Sequence, residues 1–253
     1  MSKGRFVWHD LMTNNPDASV RFYSELFGWE SRQIEMGGMG KYTFFKAGGR
    51  ENGGMVSMDP TMGIPSHWLS YLTVDDVDEL VQRAGELGIE VRFPPTDIPE
   101  VGRFSVLADP TGAHFAAFRG QKPAPVFEGP SPAGAFCWNE LLTRDTDAAR
   151  AFYTKVCGWG TGQVDMGEAG VYTLFKDGDT EVAGMMAMPE KAEGPSTWLL
   201  YIAVDDVDAA AARLGELGGR LYVDPRDIPE VGRFAVAADP NGAMFAVYTS
   251  SKR

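Results

Sequence analysis

The chain of 253 residues is poor in the residue types on which many functional classes depend. It holds two cysteines and three histidines, and no apolar run is long enough to cross a bilayer. It has 23 basic and 35 acidic residues, which gives a formal net charge of −12. This charge argues against nucleic acid and against anionic membranes as partners. The first six residues lack the apolar core of a signal peptide, which favours a cytoplasmic location.

The most informative feature that is present is an internal repeat. The stretch DIPEVGRF occurs at Asp97–Phe104 and again at Asp227–Phe234. The same offset of 130 residues relates Trp8 to Trp138, and it does not change along the chain. A constant offset of this length predicts two fused modules rather than a solenoid.

The repeat also predicts the domain boundaries. The first module covers residues 1–119 and the second covers 135–253. Between them, residues 120–134 are rich in proline and glycine, which is typical of an exposed linker. The fused pair could be complete as a monomer, a pseudo-dimer of modules, or could form a homodimer.

Each module combines strands with helices. Arg5–Leu11 alternates between faces and predicts a strand, and Asn15 with the following proline predicts the start of a helix. A second amphipathic helix follows the VDD motif, and Arg103–Ala108 and Ala113–Phe118 predict a closing hairpin. The result is an α+β fold made of two tandem βαβββ-type modules.

Three short motifs occur in the same order in both modules. In the first module they are FYSELFGW at Phe22–Trp29, VDDVD at Val74–Asp78 and DPTGA at Asp109–Ala113. This ordered set resembles the vicinal oxygen chelate superfamily of glyoxalase I, extradiol dioxygenases and bleomycin-resistance proteins, and within it a two-module glyoxalase-like subgroup. The resemblance implies curled mixed sheets that form cupped cavities, with the helices outside.

The resemblance also identifies where a metal ion would be bound. Members that chelate a metal take ligands from the first strand, from the strand before the second helix and from the last strand. Here these places hold Trp8, Leu69 and Ala116 in the first module and Trp138, Leu199 and Ala246 in the second. None of these side chains can coordinate a divalent ion, so we expect neither a metal nor another cofactor.

A displaced metal site is the alternative in the first module. Strand alternation puts Asp10, His67 and His114 on the same face as the lost ligand positions. Three ligands in a shifted register rarely meet at the distances that a metal requires, so we favour His114 as a cavity-lining group. The second module has no histidine at the matching positions.

The same alternation predicts an aromatic and apolar cavity wall, the usual makeup of a small-molecule pocket, although a closed core is the alternative. The predicted wall consists of Phe6, Trp8, Asp10, His67, Leu69, Tyr71, His114, Ala116 and Phe118, and of Phe136, Trp138, Glu140, Thr197, Leu199, Tyr201, Met244, Ala246 and Tyr248. The carboxylates Asp10 and Glu140 are the candidate acid/base groups. Each could instead pair with an arginine or bind a cationic ligand.

The DIPEVGRF copies contribute one arginine each, Arg103 and Arg233. If the hairpin turn pairs Ala108 with Ala113, these arginines face the cavity rim, whereas Phe104 faces the helices. Either arginine could pair with the aspartate that opens its copy, with the wall acid Asp10 or Glu140, or with an anionic ligand. We favour the structural pairing.

Two functions follow from these predictions. The first is a metal-independent protein that binds a small hydrophobic or aromatic molecule, either by sequestration or with acid/base chemistry. The second is a metal-dependent glyoxalase-like lyase, dioxygenase or hydroxylase with non-standard ligands. The residues leave open whether the chain catalyses a reaction. The predicted wall residues differ between the two modules, which predicts that the two cavities differ.

Overall fold

The computed structural model describes residues 4–37, 40–122, 131–192 and 194–251. The first half contains β1 (Phe6–Thr13), α1 (Pro16–Phe27), β2 (Glu30–Glu35), β3 (Lys41–Ala47), β4 (Arg50–Ser57), β5 (His67–Thr73), α2 (Val77–Gln82), α3 (Ala84–Leu87), β6 (Glu90–Ile98), β7 (Gly102–Ala108) and β8 (His114–Gly120). The second half contains β9 (Phe136–Thr143), α4 (Thr146–Cys157), β10 (Gly160–Asp165), β11 (Val171–Asp177), β12 (Thr180–Ala187), β13 (Thr197–Ala203), α5 (Val207–Glu216), β14 (Arg220–Ile228), β15 (Gly232–Ala238) and β16 (Met244–Ser250).

This order confirms the predicted α+β fold of two tandem modules. Strands β1–β8 belong to one eight-stranded sheet and β9–β16 to another. Both sheets are mixed: β1 pairs with β4 in parallel, whereas β3 pairs with β4 antiparallel. No helix in the described ranges is long and apolar enough to span a membrane. Of the predicted linker, residues 123–130 lie outside the described residues.

Helix α1 begins and ends at the residues that its capping chemistry predicts, whereas the predicted second helix is divided at Arg83 into α2 and α3. The side chain of Asn15 accepts a hydrogen bond from the amide of Ala18, and Pro16 occupies the first helical position of α1. Gly28 ends this helix in the left-handed conformation, with φ of 68°. Asp76 caps α2 by accepting from the amide of Glu79 at 3.0 Å.

The chain divides into two compact units, and each unit draws on both repeats. One unit gathers the described parts of residues 1–7, 69–126 and 138–199, and the other gathers those of 8–68, 127–137 and 200–253. The core of the first includes Leu72, Leu107, Phe115, Tyr153, Trp159 and Trp198. The core of the second includes Leu11, Tyr23, Trp29, Phe45, Leu200, Ile202 and Phe245.

In the first unit, a buried network explains why two of the sequence motifs recur. The carboxylate of Asp109 accepts from the amides of Thr111 at 2.8 Å and Ala113 at 3.0 Å, which shapes the DPTGA turn. Its other oxygen accepts from the hydroxyl of Tyr153, the tyrosine of the FY motif, at 2.9 Å. Trp198 completes the network by donating to the same hydroxyl at 2.8 Å. These motif residues therefore hold elements in place within the core.

Candidate functional site

The candidate site of the first repeat lies on one face of strands β1, β3 and β4. In the backbone register, Asp10 of β1 lies beside Gly54 of β4, and Gly54 lies opposite Phe44 of β3. Laterally paired residues of a sheet project to the same face, and Tyr42 shares that face because it is two residues from Phe44. The face therefore brings together an acid, a phenol and a phenyl ring.

Trp8, Tyr42 and Asp10 form a closed hydrogen-bonded group. The hydroxyl of Tyr42 donates to Oδ1 of Asp10 at 2.6 Å. The indole Nε1 of Trp8 donates to the same oxygen at 2.9 Å and to the Tyr42 hydroxyl at 2.8 Å. Asp10 is only 4% exposed, and a carboxylate so deeply buried requires donors of this kind. A phenol and an indole supply two of these donors.

Gly54 provides the space that this group occupies. A Cβ atom at this position would overlap the Tyr42 hydroxyl and would lie 2.5 Å from Oδ1 of Asp10. Only glycine therefore permits the short bond between the phenol and the acid. Sequence analysis missed both Tyr42 and Gly54, although each recurs at the offset of 130 residues, as Tyr172 and Gly184.

The second repeat builds the same group from Trp138, Tyr172 and Glu140. The indole of Trp138 donates to the Tyr172 hydroxyl at 3.0 Å, and a Cβ at Gly184 would overlap that hydroxyl. Burial, and secondly the negative charge of Glu140, raises the pKa of Tyr172 well above its usual range. This phenol stays protonated and hydrogen-bonds to the Glu140 carboxylate. We call the two sets the Trp–Tyr–carboxylate groups.

Aromatic rings surround the acid of the first repeat. Phe44 meets Tyr42 edge-on, with the ring centroids 4.8 Å apart, and meets Trp8 in the same manner at 6.2 Å. All three rings are half-buried. The predicted wall residue Phe6 does not join them, because it packs edge-on against the core residue Trp198 at 4.7 Å. Phe136 likewise packs edge-on against Trp68, at 5.4 Å.

A second aromatic cluster lies on β5, β7 and β8. Tyr71 packs against Phe104 at 5.9 Å and edge-on against Phe118 at 6.0 Å. This arrangement corrects the predicted hairpin register, since Ala108 lies opposite His114. A shift of one residue moves every side chain of a strand to the other face. Phe104 therefore shares the face of Tyr71.

The register also moves Arg103 away from the face on which it was predicted. Its guanidinium forms a two-pronged ion pair with Asp78 at the start of α2, at 2.7 and 2.8 Å. It also donates to Asp97 at 2.9 Å, so the predicted pairing within the DIPEVGRF copy is confirmed. These bonds hold the pKa of Asp78 below its usual value. Arg233 repeats this arrangement with Asp208 and Asp227.

The remaining predicted residues differ in exposure. Leu69, Leu199, Ala116 and Ala246 are buried, whereas His114 and Met244 are exposed. In the second repeat, Tyr201 packs against Phe234 at 6.4 Å and Tyr248 at 6.5 Å. That any of these predicted residues contacts a ligand stays a prediction.

The side chains present do not fit the metal ion that the fold family implies. Trp8, Leu69 and Ala116 offer no donor that holds a divalent cation, and the last two are buried. Across the described ranges, no three His, Cys, Asp or Glu side chains are grouped as a metal site would require. The ring Nδ1 of His67 lies 2.8 Å from the carbonyl oxygen of Pro65.

Comparison with known proteins agrees with the motifs and the fold. The sequence-family model of the Glyoxalase/Bleomycin resistance protein/Dioxygenase superfamily matches residues 5–116 and 137–247. A Mycobacterium tuberculosis protein named "Putative glyoxylase CFP32" is 38% identical over 243 residues, covering 95% of this chain and 92% of that protein. The anthracycline biosynthesis protein DnrV of Streptomyces peucetius is 34% identical over 261 residues, with 96% and 92% covered.

Solved structures share the fold at lower identity. The Mn(II)-bound glyoxalase of Novosphingobium aromaticivorans superposes with a TM-score of 0.65 at 17% identity, covering 98% of this chain and 83% of that one. The 2,3-dioxygenase LapB of Pseudomonas superposes with a TM-score of 0.62 at 14% identity, with 98% and 93% covered. Since the family model matches both repeats over most of their length, the chain belongs to the glyoxalase/bleomycin resistance protein/dioxygenase superfamily.

Proposed function

We propose that this protein binds a small aromatic or hydrophobic molecule in the cytoplasm, without a metal ion, on the sheet faces that carry its Trp–Tyr–carboxylate groups. The observation that carries the proposal is the hydrogen-bonded group of Trp8, Tyr42 and Asp10, which recurs in the second repeat. Half-buried aromatic rings around a few oriented polar atoms are the usual makeup of a small-molecule site.

The relatives support an aromatic ligand. One of them is named an anthracycline biosynthesis protein, and anthracyclines are flat polycyclic aromatic compounds. Phe44 meets both Trp8 and Tyr42 edge-on, and a half-buried group of aromatic rings of this kind is suited to packing against such a molecule.

Sequestration is the role that we favour, with acid/base chemistry as the second candidate. The Tyr42 hydroxyl donates a hydrogen bond to Asp10, and Tyr172 stays protonated beside Glu140. Neither phenol is therefore a ready base. The groups that would take a proton from a bound molecule are the carboxylates of Asp10 and Glu140, once the molecule displaces a tyrosine hydroxyl from its bond.

Binding is tested with a panel of planar aromatic compounds, by thermal shift and titration calorimetry. We expect at least one compound to raise the unfolding temperature. We expect Tyr42→Phe and Asp10→Asn to weaken its binding about tenfold, because each removes a hydrogen bond that orients the site. Tyr222→Phe is the matched control, since this tyrosine is 52% exposed on β14.

Two results would contradict the proposal. One is a panel in which no compound stabilises the wild-type protein. The other is stoichiometric Zn, Ni, Fe or Mn in protein purified without chelators, together with a gain of glyoxalase activity when the metal is added. The second result would support the metal-dependent alternative, which needs ligands other than Trp8, Leu69 and Ala116.

A further inference from the structure

The two repeats differ along one row of residues that crosses four strands. In the first repeat, Arg32 of β2 lies opposite Phe44, Phe44 lies opposite Gly54, and Gly54 lies beside Asp10. Residues paired in this manner project to the same face of the sheet. Three strand spacings of ~4.8 Å give the row a length of about 14 Å.

The matching row of the second repeat has a different chemistry. It runs from Gly162 through Leu174 and Gly184 to Glu140. The central glycine and the carboxylate are kept, whereas leucine replaces the phenylalanine and glycine replaces the arginine. The ammonium of Lys176 lies near this end of the row, 3.5 Å from where a Cβ at Gly162 would be, and it pairs with Glu181 at 3.9 Å. The two rows therefore share one polar end and differ at the other.

In the first repeat, the differing end is an aromatic surface beside a cation. The guanidinium carbon of Arg32 lies 4.7 Å from the centroid of Phe44, a cation–π contact that holds the ring. The Arg32 side chain is 52% exposed, and its ion pair with Glu51 is long, at 3.6 Å. A weakly paired, accessible guanidinium is suited to a carboxylate or phenolate oxygen of a ligand.

Resting on the proposed function, we infer that the first repeat selects an elongated, planar aromatic acid and that Phe44 and Arg32 determine this specificity. The ring system lies along the row on Phe44, its acidic group meets Arg32, and its other end lies at the Trp–Tyr–carboxylate group. The second repeat, with Leu174 and Gly162 in the row, does not select this class.

The repeat provides matched variants for the test. The exchange Arg32→Gly with Phe44→Leu gives the first repeat the row of the second, and Gly162→Arg with Leu174→Phe does the reverse. Each new residue occurs at the equivalent position of the other repeat. An added Cβ at Gly162 meets first the flexible end of the Lys176 side chain, at 3.3 Å, so a side chain at this position requires that lysine, which has the same charge as the new arginine, to move aside.

The probe is 6-hydroxy-2-naphthoate, and 2,6-dihydroxynaphthalene is its uncharged counterpart. By titration calorimetry, we expect wild-type protein to bind one naphthoate per chain and to prefer it over the uncharged compound. The exchange in the first repeat should weaken naphthoate binding about tenfold, through loss of the ring and the cation. The exchange in the second repeat should leave that site unchanged and add a second one.

The outcomes separate this inference from the proposed function. Two equivalent naphthoates per wild-type chain, or binding unaffected by the exchange in the first repeat, would overturn the inference. Binding of the uncharged compound alone would also overturn it and would leave the proposed function standing. If no aromatic compound binds, both fail. Thermal unfolding verifies that each variant is folded, and the single exchange Arg32→Gly at an exposed side chain is the fallback.

Discussion

At the scale of single residues, Gly54 determines whether the acid and the phenol of the first site can meet. A Cβ there would overlap the Tyr42 hydroxyl, so Gly54→Ala must displace either the phenol or strand β4. We expect a loss of about 1–3 kcal/mol in the free energy of unfolding, typical of overpacking, together with weaker ligand binding. Denaturant unfolding and calorimetry measure the two effects.

Gly85→Ala is the control for this substitution. Nothing lies within 4 Å of a Cβ at Gly85, which is inside helix α3, so alanine should leave the stability unchanged or raise it by about 0.5–1 kcal/mol. Gly184→Ala should behave like Gly54→Ala, because its Cβ would overlap the Tyr172 hydroxyl. Equal stability of the Gly54 and Gly85 variants would contradict this account of the site.

His9 makes the stability of the fold sensitive to acid. Burial lowers the pKa of His9 from 6.5 to about 3. Between these values the unfolded chain binds a proton that the native state does not, so stability falls as the pH drops below 6.5. At pH 5, one and a half units lower, the loss is about 2 kcal/mol, at 1.36 kcal/mol per unit.

The second repeat has Asn139 at the position of His9, which suggests the variant that tests this. Between pH 7.5 and pH 5, we expect the free energy of unfolding of the His9→Asn variant to fall less than that of the wild-type protein. Urea unfolding measures both values. Comparing each protein with itself at pH 7.5 removes the effect of the substitution on packing. Equal losses in the two proteins would show that His9 is not the acid-sensitive group.

At the scale of elements, Arg103 joins the start of helix α2 to strands β6 and β7. Because it pairs with Asp78 and Asp97, on the face opposite Phe104, we expect Arg103→Met to lower Tm by less than about 3 °C, an effect that shrinks with added salt. Ligand affinity should stay unchanged. Arg233→Met should behave in the same manner. Weaker ligand binding at unchanged stability would instead show that the arginine contacts the ligand.

Most elements could be predicted, but the pairing between strands could not. Periodicity and capping residues locate helices such as α1, because these signals lie within a few neighbouring positions. The register of β7 and β8 depends on the turn that joins them, and one residue of difference exchanged the faces of Arg103 and Phe104. Asp78 was missed as the partner of Arg103 because 25 residues separate them.

At the scale of the whole molecule, each compact core needs both repeats. In one unit, Leu107 and Phe115 of the first repeat share a core with Tyr153 and Trp198 of the second. The module boundaries, 1–119 and 135–253, stay a prediction. We expect either module, expressed alone, to be insoluble or to associate, because half of each apolar core would face water. Light scattering and thermal unfolding test this, and a stable, cooperatively folding monomer would contradict it.

The sequence by itself determined the twofold repeat and the α+β fold, and it predicts that the family's metal-ligand positions hold no ligand. These depend on local periodicity and on which side chain stands at a given position, and both can be read along the chain. Only the tertiary structure decided that Asp10 bonds to Tyr42, that Gly54 makes room for that bond, and that Arg103 turns to helix α2. Those outcomes depend on strand register and on contacts between distant segments, for which neighbouring residues carry no signal.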